Sequence, residues 1–536
     1  MPKRTFNFAD TFEIVADAVP DQPAVVAAER RLTFAELDER ATRLAHALSD
    51  RGVGVGDHVG LYLFNGTEYL EAMIAAWKIR AVPVNVNYRY VADELVYLFD
   101  DADLVAVVHH GEFTPVIADV VDQVPGVHTF LAVDDGTDAD LASIGAEDYE
   151  TALAEASAER DFPERSPDDL YIVYTGGTTG MPKGVMWRQE DIFFAAMDAS
   201  AAGIADVPEK PEDLADRVRE TAGTVPMGTA APLMHGAAQW VTWICFHQGN
   251  PIVLPAAKRF DPKAVWRAVS DENIVSLTVV GDAMARPLAD ELKANADDYD
   301  VSGLMALGSG GAILSEGVKQ QYREILPDII MADGFGASET GNQGTGIGAN
   351  AEGNPQFQLG PHTTVLGEDL RPIEPGSGEH GLLARSGRIP LGYYKDEEKT
   401  AKTFVTDPDG KRWVIPGDMA TIEADGIITV FGRGSGSINS GGEKIFPEEV
   451  EAALKSHPDV FDAVVVGVPD ERFGARVAAV VAPREGAEPT LDDLVEHCRA
   501  KIAGYKVPRE LHLVDEVVRS PSGKADYRWA KAAALN

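Results

Sequence analysis

Apolar and polar positions recur along the chain with two periods, and the switches between them predict most of its elements. Phe12, Ile14, Val15 and Val19 sit near helical spacing. After a strand-like hairpin, RRLTFAELDERATRLAHALSDRG predicts a second helix. Thr33 is its N-cap, Glu36 completes a capping box, and Gly52 ends it. Leu37, Ala41, Leu44 and Leu48 form its apolar stripe. DHVGLYLFNG then reads as a buried strand, EYLEAMIAAWKIRAVPVNVN as helix and strand, and LVAVVHH at 104–110 as another strand. This alternation predicts an α/β fold with a large parallel component.

The acidic, Ala-rich stretch from Asp134 to Asp169 interrupts the rhythm and reads as a solvated helix and connector. The βα pattern resumes through YIVYTGG, PIVLPA, IVSLTVVGD, LMALGSGGA and DIIMADGFG. Each is a short apolar run closing in Gly, Asp or Ala, which suits ligand loops at the carboxyl ends of strands. Residues 357–434 change to short strands and Gly-rich turns, a β-rich subdomain. Beyond Arg433 a Gly/Ser-rich stretch, GSGSINSGGEK, precedes a compact unit. That unit holds helix FPEEVEAALKSH, strands DAVVVGVPD and ARVAAVVAP, helix LDDLVEHCRAKI and strand RELHLVDE. The expected architecture is therefore α/β. A large multi-subdomain N-terminal domain, 1–434, carries mixed, mainly parallel sheets, and a small mobile α+β domain, 435–536, follows a hinge near 435.

Composition narrows the function. A chain of 536 residues with 45% apolar and 25% charged residues has the make-up of a multi-unit globular protein. Its formal net charge of −39 excludes nucleic-acid binding led by bulk electrostatics. Anionic ligands must then be held by local loops and a few placed cations. Only Cys245 and Cys498 are present, as fits a reducing compartment. The N-terminus lacks the apolar stretch of a signal peptide, and no run approaches the ~18 apolar residues of a membrane span, so a cytoplasmic protein is expected.

The segment richest in chemistry is YIVYTGGTTGMPKGV, 171–185. A strand runs into Thr175-Gly176-Gly177-Thr178-Thr179-Gly180, and Lys183 follows. Glycines let backbone N–H groups approach phosphate oxygens, while the threonine hydroxyls and the lysine add donors and charge. No G-x4-G-K-[ST] can be written through it, so it is not a Walker A loop.

This segment resembles the phosphate-loop signature of the adenylate-forming superfamily, which includes acyl-CoA synthetases, firefly luciferase and peptide-synthetase adenylation domains. Its flanks are most similar to bacterial fatty-acyl-CoA ligases, including those acting on sterol-derived acids. Further segments resemble the family's other motifs in order. APLMHGAAQW, 231–240, places His235 at the carboxylate pocket. LGSGGA, 307–312, places Gly310 and Gly311 beside adenine. MADGFGASETG, 331–341, places Phe335 to stack on adenine and Asp333 to accept from its amino group, with Gly334 and Gly336 between and beside them. Ser338 takes the usual threonine position, and Glu339, with Thr178, holds Mg2+ against the phosphates. VIPGDMA, 414–420, keeps only Gly417-Asp418 of the common Tyr-Arg-Thr-Gly-Asp; Asp418 accepts from the ribose hydroxyls and Arg433 reaches the same sugar. Ser435 occupies the hinge position, between Gly434 and Gly436. Ser440, Gly441 and Gly442 line the thiol's path, with Lys444 among the cofactor-binding residues, and RSPSGKADYR, 519–528, carries the catalytic lysine, Lys524.

The resemblance implies ATP, Mg2+ and coenzyme A, and a two-step reaction. A carboxylic acid attacks the α-phosphate of ATP, and a thiol then displaces AMP from the acyl-adenylate. Lys524, Glu339, Lys183 and His235 are the implied catalytic group. Small residues at Gly236, Ala237, Ala238, Gly281 and Ala283, together with His235, Trp240 and Gly308, suggest a medium-to-long or bulky polycyclic acid. Two alternatives stay open: an acyl-AMP ligase that loads a carrier protein, and a non-catalytic nucleotide-binding module. Nothing in the sequence supports a luciferase-type oxygenase. A dehydrogenase lacks its G-x-G-x-x-G, since GTGIGA ends in alanine, and a serine hydrolase lacks its G-x-S-x-G. Neither nucleic acid nor an integral membrane segment is expected; a homodimer is left open, because oligomeric state is not legible here.

Overall fold

The structure is a computed structural model and describes residues 3–175, 181–312, 314–350, 354–433, 438–440, 443–470, 474–519 and 524–535. It divides into two compact units. The first holds Met1–Thr278, Asn295–Ala306 and Arg388–Thr400; the second holds Val279–Ala294, Leu307–Gly387 and Ala401–Asn536.

In the first unit, five strands lie in the order Val82–Asn85, His58–Tyr62, Leu104–His110, Thr129–Val133 and Glu147–Asp148, all parallel. Their near-continuous apolar runs follow from burial on both faces. A second group sets Pro23–Ala27, Ile252–Leu254, Met227–Thr229 and Ser276–Val279 parallel, with Arg30–Thr33 antiparallel at the edge. The helix Phe34–Asp50 starts on the expected Thr33–Glu36 capping box. Phe8, Trp77 and Trp243 form an aromatic centre, with ring centroids 4.9 Å (Phe8–Trp77) and 5.1 Å (Trp77–Trp243) apart.

Beside this centre lies a buried ionic cluster. Lys78 is fully buried at the end of helix Thr67–Lys78 and donates to Glu13 (2.7 Å) and Asp38 (2.9 Å). Arg165 donates to Asp10 (2.8 Å) and Glu13 (2.8 Å), and Arg160 reaches Asp38 at 2.7 Å. The stretch 134–169, expected as a solvated helix and connector, does contain the helix Tyr149–Glu155. Its end, however, is tied inward by these two arginines. Charge composition alone could not reveal partners more than a hundred residues away.

The second unit is built mainly from antiparallel strands. They run in the order Ala306–Gly310, Ile330–Ala337, Gly341–Ala349, Pro355–Leu359, Ile428–Arg433, Asp418–Ile422, Gly381–Ser386, Arg412–Val414 and Phe404–Thr406. Here DIIMADGFG enters a hairpin instead of a βα unit. The returning strand is glycine-rich and carries no apolar alternation to announce it. Near the C-terminus, Val460–Asp470 pairs antiparallel with Gly474–Pro483, which pairs parallel with Glu510–Leu513. Val465, Val477, Ala479 and Val481 pack with Leu454, Leu494 and Cys498 on one face. Val464, Val466 and Val480 pack with Ala530 and Ala534 on the other. The second layer comes from helix Tyr527–Leu535, which the hydrophobic pattern did not single out. Among the described residues no helix is long and apolar enough to cross a membrane.

Lys78→Met would take from Glu13 and Asp38 the buried cation they share, leaving them to Arg165 and Arg160, and thermal or denaturant unfolding should show a loss of about 3 kcal/mol. Burial alone raises the Glu13 pKa, but Lys78 and Arg165 outweigh it and bring it from 4.5 down to about 2. Its stabilisation is therefore complete above pH ~4.5 and lost as pH falls towards 2. Acid-unfolding curves of wild type and Glu13→Gln should converge in that window.

Candidate active site

The segment expected to hold phosphate begins as a hairpin. Leu170–Thr175 pairs antiparallel with Lys183–Arg188, placing Lys183 directly opposite Thr175 at the mouth of the loop. YIVYTGG therefore turns back on itself and does not feed a helix. Gly176, Gly177, Thr178, Thr179 and Gly180 lie outside the described residues. A Cβ on Gly184 would come within 2.7 Å of the Tyr174 ring, so this position needs glycine for packing alone. The Lys183 ammonium stands 3.6 Å from Asp396 and 4.0 Å from Asp101, with the Tyr97 ring 5.7 Å away. Its pKa is raised by a hydrogen bond to Tyr97 and by the two carboxylates.

Below the loop sits a residue that the motifs do not mark. Asn85, buried at the end of its strand, accepts from Tyr174 N (2.7 Å) and donates to Tyr174 O (2.8 Å) and Met234 O (2.7 Å). One amide thus fastens the end of strand Leu170–Thr175 to the residue preceding His235. Asn65 holds the segment before His235 as well, donating to Ala231 O (3.1 Å) and accepting from Leu233 N (2.7 Å). His235 is the half-buried N-cap of helix Gly236–Phe246. No local pattern predicts either clamp, since each joins segments more than eighty residues apart.

In the second unit the glycine turn follows strand Ala306–Gly310, and Gly311 has φ +83°, a left-handed conformation that glycine adopts without strain. Ser309 Oγ accepts from Gly281 N at 3.0 Å. The hairpin Ile330–Ala337/Gly341–Ala349 carries the next motif. Phe335 packs against Phe357 with centroids 4.5 Å apart. Gly336 faces the Gly341 carbonyl so closely that no Cβ fits. At the tip Thr340 is fully buried, its hydroxyl accepting from Ala337 N (2.9 Å) and its N–H donating to Ala337 O (2.9 Å). This closed turn presents half-buried Ser338 and Glu339. Asp333 pairs with Lys319, and its pKa is raised by burial against the opposing effect of that lysine. Gly334 lies between Asp333 and Phe335, where a Cβ would stand 3.5 Å from the Ser309 carbonyl oxygen.

The two residues expected at the ribose meet in register. Asp418 opens strand Asp418–Ile422 and stands opposite Arg433, the last residue of Ile428–Arg433. The connecting turn closes by Gly426 N donating to Glu423 O (2.9 Å), with Gly426 at φ +85°. Ser440 pairs with Glu443 in a short hairpin whose partner positions include Lys444; Gly441 and Gly442 lie outside the described residues, as does Ser435 with its neighbours Gly434 and Gly436. Lys524 is exposed, just after the described segment ending at Arg519, which is bidentate to Asp462 (2.6 and 2.7 Å).

Residues 12–387 match the family described as AMP-binding enzyme, and residues 449–524 match the AMP-binding enzyme C-terminal domain. The chain belongs to the AMP-binding enzyme family. Among its relatives, the medium/long-chain-fatty-acid–CoA/3-oxocholest-4-en-26-oate–CoA ligase of Mycobacterium marinum is 50% identical over 98% of this chain and 96% of its own. The 3-oxocholest-4-en-26-oate–CoA ligase of Rhodococcus rhodochrous is 49% identical over 98% and 95%. The fold is that of the anthranilate CoA ligase AuaEII in complex with anthranoyl-AMP, with a TM-score of 0.85 at 21% identity over 100% of this chain and 98% of that one. ATP-bound MatB from Rhodopseudomonas palustris gives 0.78 at 23% identity, covering 98% of each.

Family membership makes the donor set intelligible. Among the described residues no three His, Cys, Asp or Glu side chains group to hold a metal. Mg2+ whose other positions are filled by phosphates and water needs no such cluster. Asn85→Ala removes three hydrogen bonds from the loop base; acid-dependent AMP release should fall about tenfold, while the melting midpoint drops by a few degrees.

Proposed function

We propose that this chain is an AMP-forming acid–thiol ligase that converts a medium- to long-chain fatty acid or a sterol-derived carboxylic acid into its CoA thioester. The observation that carries the reading is end-to-end identity near one half with relatives named for those acid classes. The register pair Asp418–Arg433 and the closed turn that presents Glu339 support it, because both set residues of the expected motifs at fixed backbone positions.

In the first step a carboxylate oxygen of the acid attacks the α-phosphorus of ATP, forming the acyl-adenylate and releasing pyrophosphate. Two anions meet in that step, so the protein's work is charge neutralisation and alignment. Lys524 bridges the acid and the α-phosphate, the loop from Thr175 to Lys183 holds the leaving pyrophosphate, and His235 lines the carboxylate pocket. Mg2+, held through Glu339 and Thr178, supplies charge neutralisation at the phosphates when bound. Phe335, Asp333 and the Gly310–Gly311 turn hold adenine, while Asp418 and Arg433 hold the ribose. In the second step the CoA thiol gives up its proton to solvent and attacks the carbonyl carbon, and AMP leaves. Residues 435–536 act as a domain that turns about Ser435, withdrawing Lys524 and bringing Ser440, Gly441, Gly442 and Lys444 to the thiol. The setting is cytoplasmic, in keeping with Cys245 and Cys498 as buried free thiols whose pKa burial raises, that of Cys498 to about 12.

Purified protein incubated with Mg-ATP, CoA and acids from acetate to palmitate and sterol carboxylates should release AMP and form thioester with the longer or polycyclic acids. Adenylate accumulating without thioester would instead identify a carrier-protein acceptor. Lys524→Ala should abolish adenylate formation yet spare thioester formation from pre-made adenylate; equal loss of both halves would refute its role. Gly442→Leu should do the reverse.

A further inference from the structure

Lys319 stands on helix Glu316–Ile325, whose N-terminus is capped by Ser315. It is buried, and its ammonium is paired with Oδ2 of Asp333. The second carboxylate oxygen, Oδ1, is also buried and has no hydrogen-bond partner among the described residues. A buried acceptor left open beside a fully engaged one is an unusual expenditure of polarity in a folded chain. Asp282, from helix Gly281–Ala294, and Glu316, from the helix of Lys319 itself, also face this carboxylate and favour its neutral form. Lys319 is the cation that opposes them.

The surroundings of the open oxygen are those of a site for a flat heterocycle. Strand alternation places Asp333 and Phe335 on the same face of Ile330–Ala337. Across the hairpin, Gly346 carries no side chain where a Cβ would lie 2.7 Å from that of Asp333. An acceptor, an aromatic ring and bare backbone together suit a base that donates an N–H.

We infer that Lys319 is a positioning residue that sets the base selectivity of the nucleotide site: by pairing with Oδ2 it fixes the Asp333 carboxylate so that Oδ1 accepts from the exocyclic amino group of adenine. The inference rests on the assignment of Asp333 to adenine under the proposed function. An ionised carboxylate offers only acceptors, so it takes the 6-amino group of adenine and repels the 6-oxo group of guanine. A neutral carboxyl could donate its O–H to that oxo group, and the discrimination would shrink.

Titration of the full-length protein with ATP and with GTP, without acid or CoA, reads the inference apart from turnover. Lys319→Met should weaken ATP binding about tenfold and GTP binding far less, so that the ATP preference falls about tenfold. In turnover, KM for ATP should rise more than kcat falls. Lys319→Arg should restore the wild-type preference. Lys319→Met combined with Asp333→Asn should, like Lys319→Met alone, show a reduced ATP preference, because an amide can turn its carbonyl to the amino group of adenine or its N–H to the oxo group of guanine. The double variant buries no unpaired charge and serves if the single one does not fold. An unchanged ATP preference in Lys319→Met or in the double variant, or equal loss for both nucleotides in Lys319→Met, would overturn the inference. Wild-type protein that prefers ATP yet forms no AMP with any acid would refute the ligase reading and leave the role of Lys319 standing. Wild type that forms AMP while binding GTP as tightly as ATP would do the opposite.

Discussion

The first unit is organised around a charge that has nowhere to go. The Lys78 ammonium is sealed from water, and an unpaired cation there would be too costly for the fold to hold. Its two carboxylate partners come from helices Phe8–Ala18 and Phe34–Asp50, and Arg165 draws the end of the connector onto the same carboxylate of Glu13. Three helices and a connector are thereby fixed in one arrangement. The aromatic centre of Phe8, Trp77 and Trp243 packs on it, and Tyr171, on the strand that enters the phosphate loop, is 6.5 Å from Phe8 by ring centroids. Ionic and aromatic contacts together thus set where that loop begins.

Elsewhere the governing constraint is how closely two backbones approach. Gly184 yields to the Tyr174 ring, Gly336 to the Gly341 carbonyl and Gly346 to the Asp333 side chain. These glycines stand within or beside the motifs that mark the nucleotide site. A glycine-rich motif can thus serve the ligand and the hairpin together: the absence of a Cβ that opens room for phosphate or base also lets the strands close.

How much of this was legible in the sequence depended on the range of the interactions. The capping box of Thr33 and Glu36 is a local device, and it lies where the sequence places it. In the first unit His58–Tyr62, Val82–Asn85, Leu104–His110, Ile252–Leu254 and Ser276–Val279 announced themselves by apolar runs, as did the DAVVVGVPD strand, buried on both faces, whereas Thr129–Val133, Glu147–Asp148 and Met227–Thr229 did not. The strand Gly341–Ala349 was silent, because glycine carries no hydrophobic period. Asn85 and Asn65 were silent for another reason: a lone asparagine near a strand end gives no sign of which distant carbonyl it will reach. The helix Tyr527–Leu535 presents only Ala530 and Ala534 as fully buried residues, too small a stripe to stand out. The motif residues were legible only through resemblance. The structure adds the register that sets Asp418 opposite Arg433 and Thr175 opposite Lys183.

The pairing of Asp418 with Arg433 also bears on how the chain can vary. Both residues lie at one end of the ladder between their strands, and their register runs from the turn at Glu423–Gly426 through one bulge between Met419 and Ala420. Strand pairing is read residue by residue, so one residue gained or lost in that turn would shift Asp418 and Arg433 out of register. The turn is exposed at Asp425, and its side chains are therefore open to replacement, whereas its length is not. Drift in this lineage should accordingly leave substitutions there in plenty and insertions or deletions hardly at all, a signature opposite to that of an ordinary surface loop.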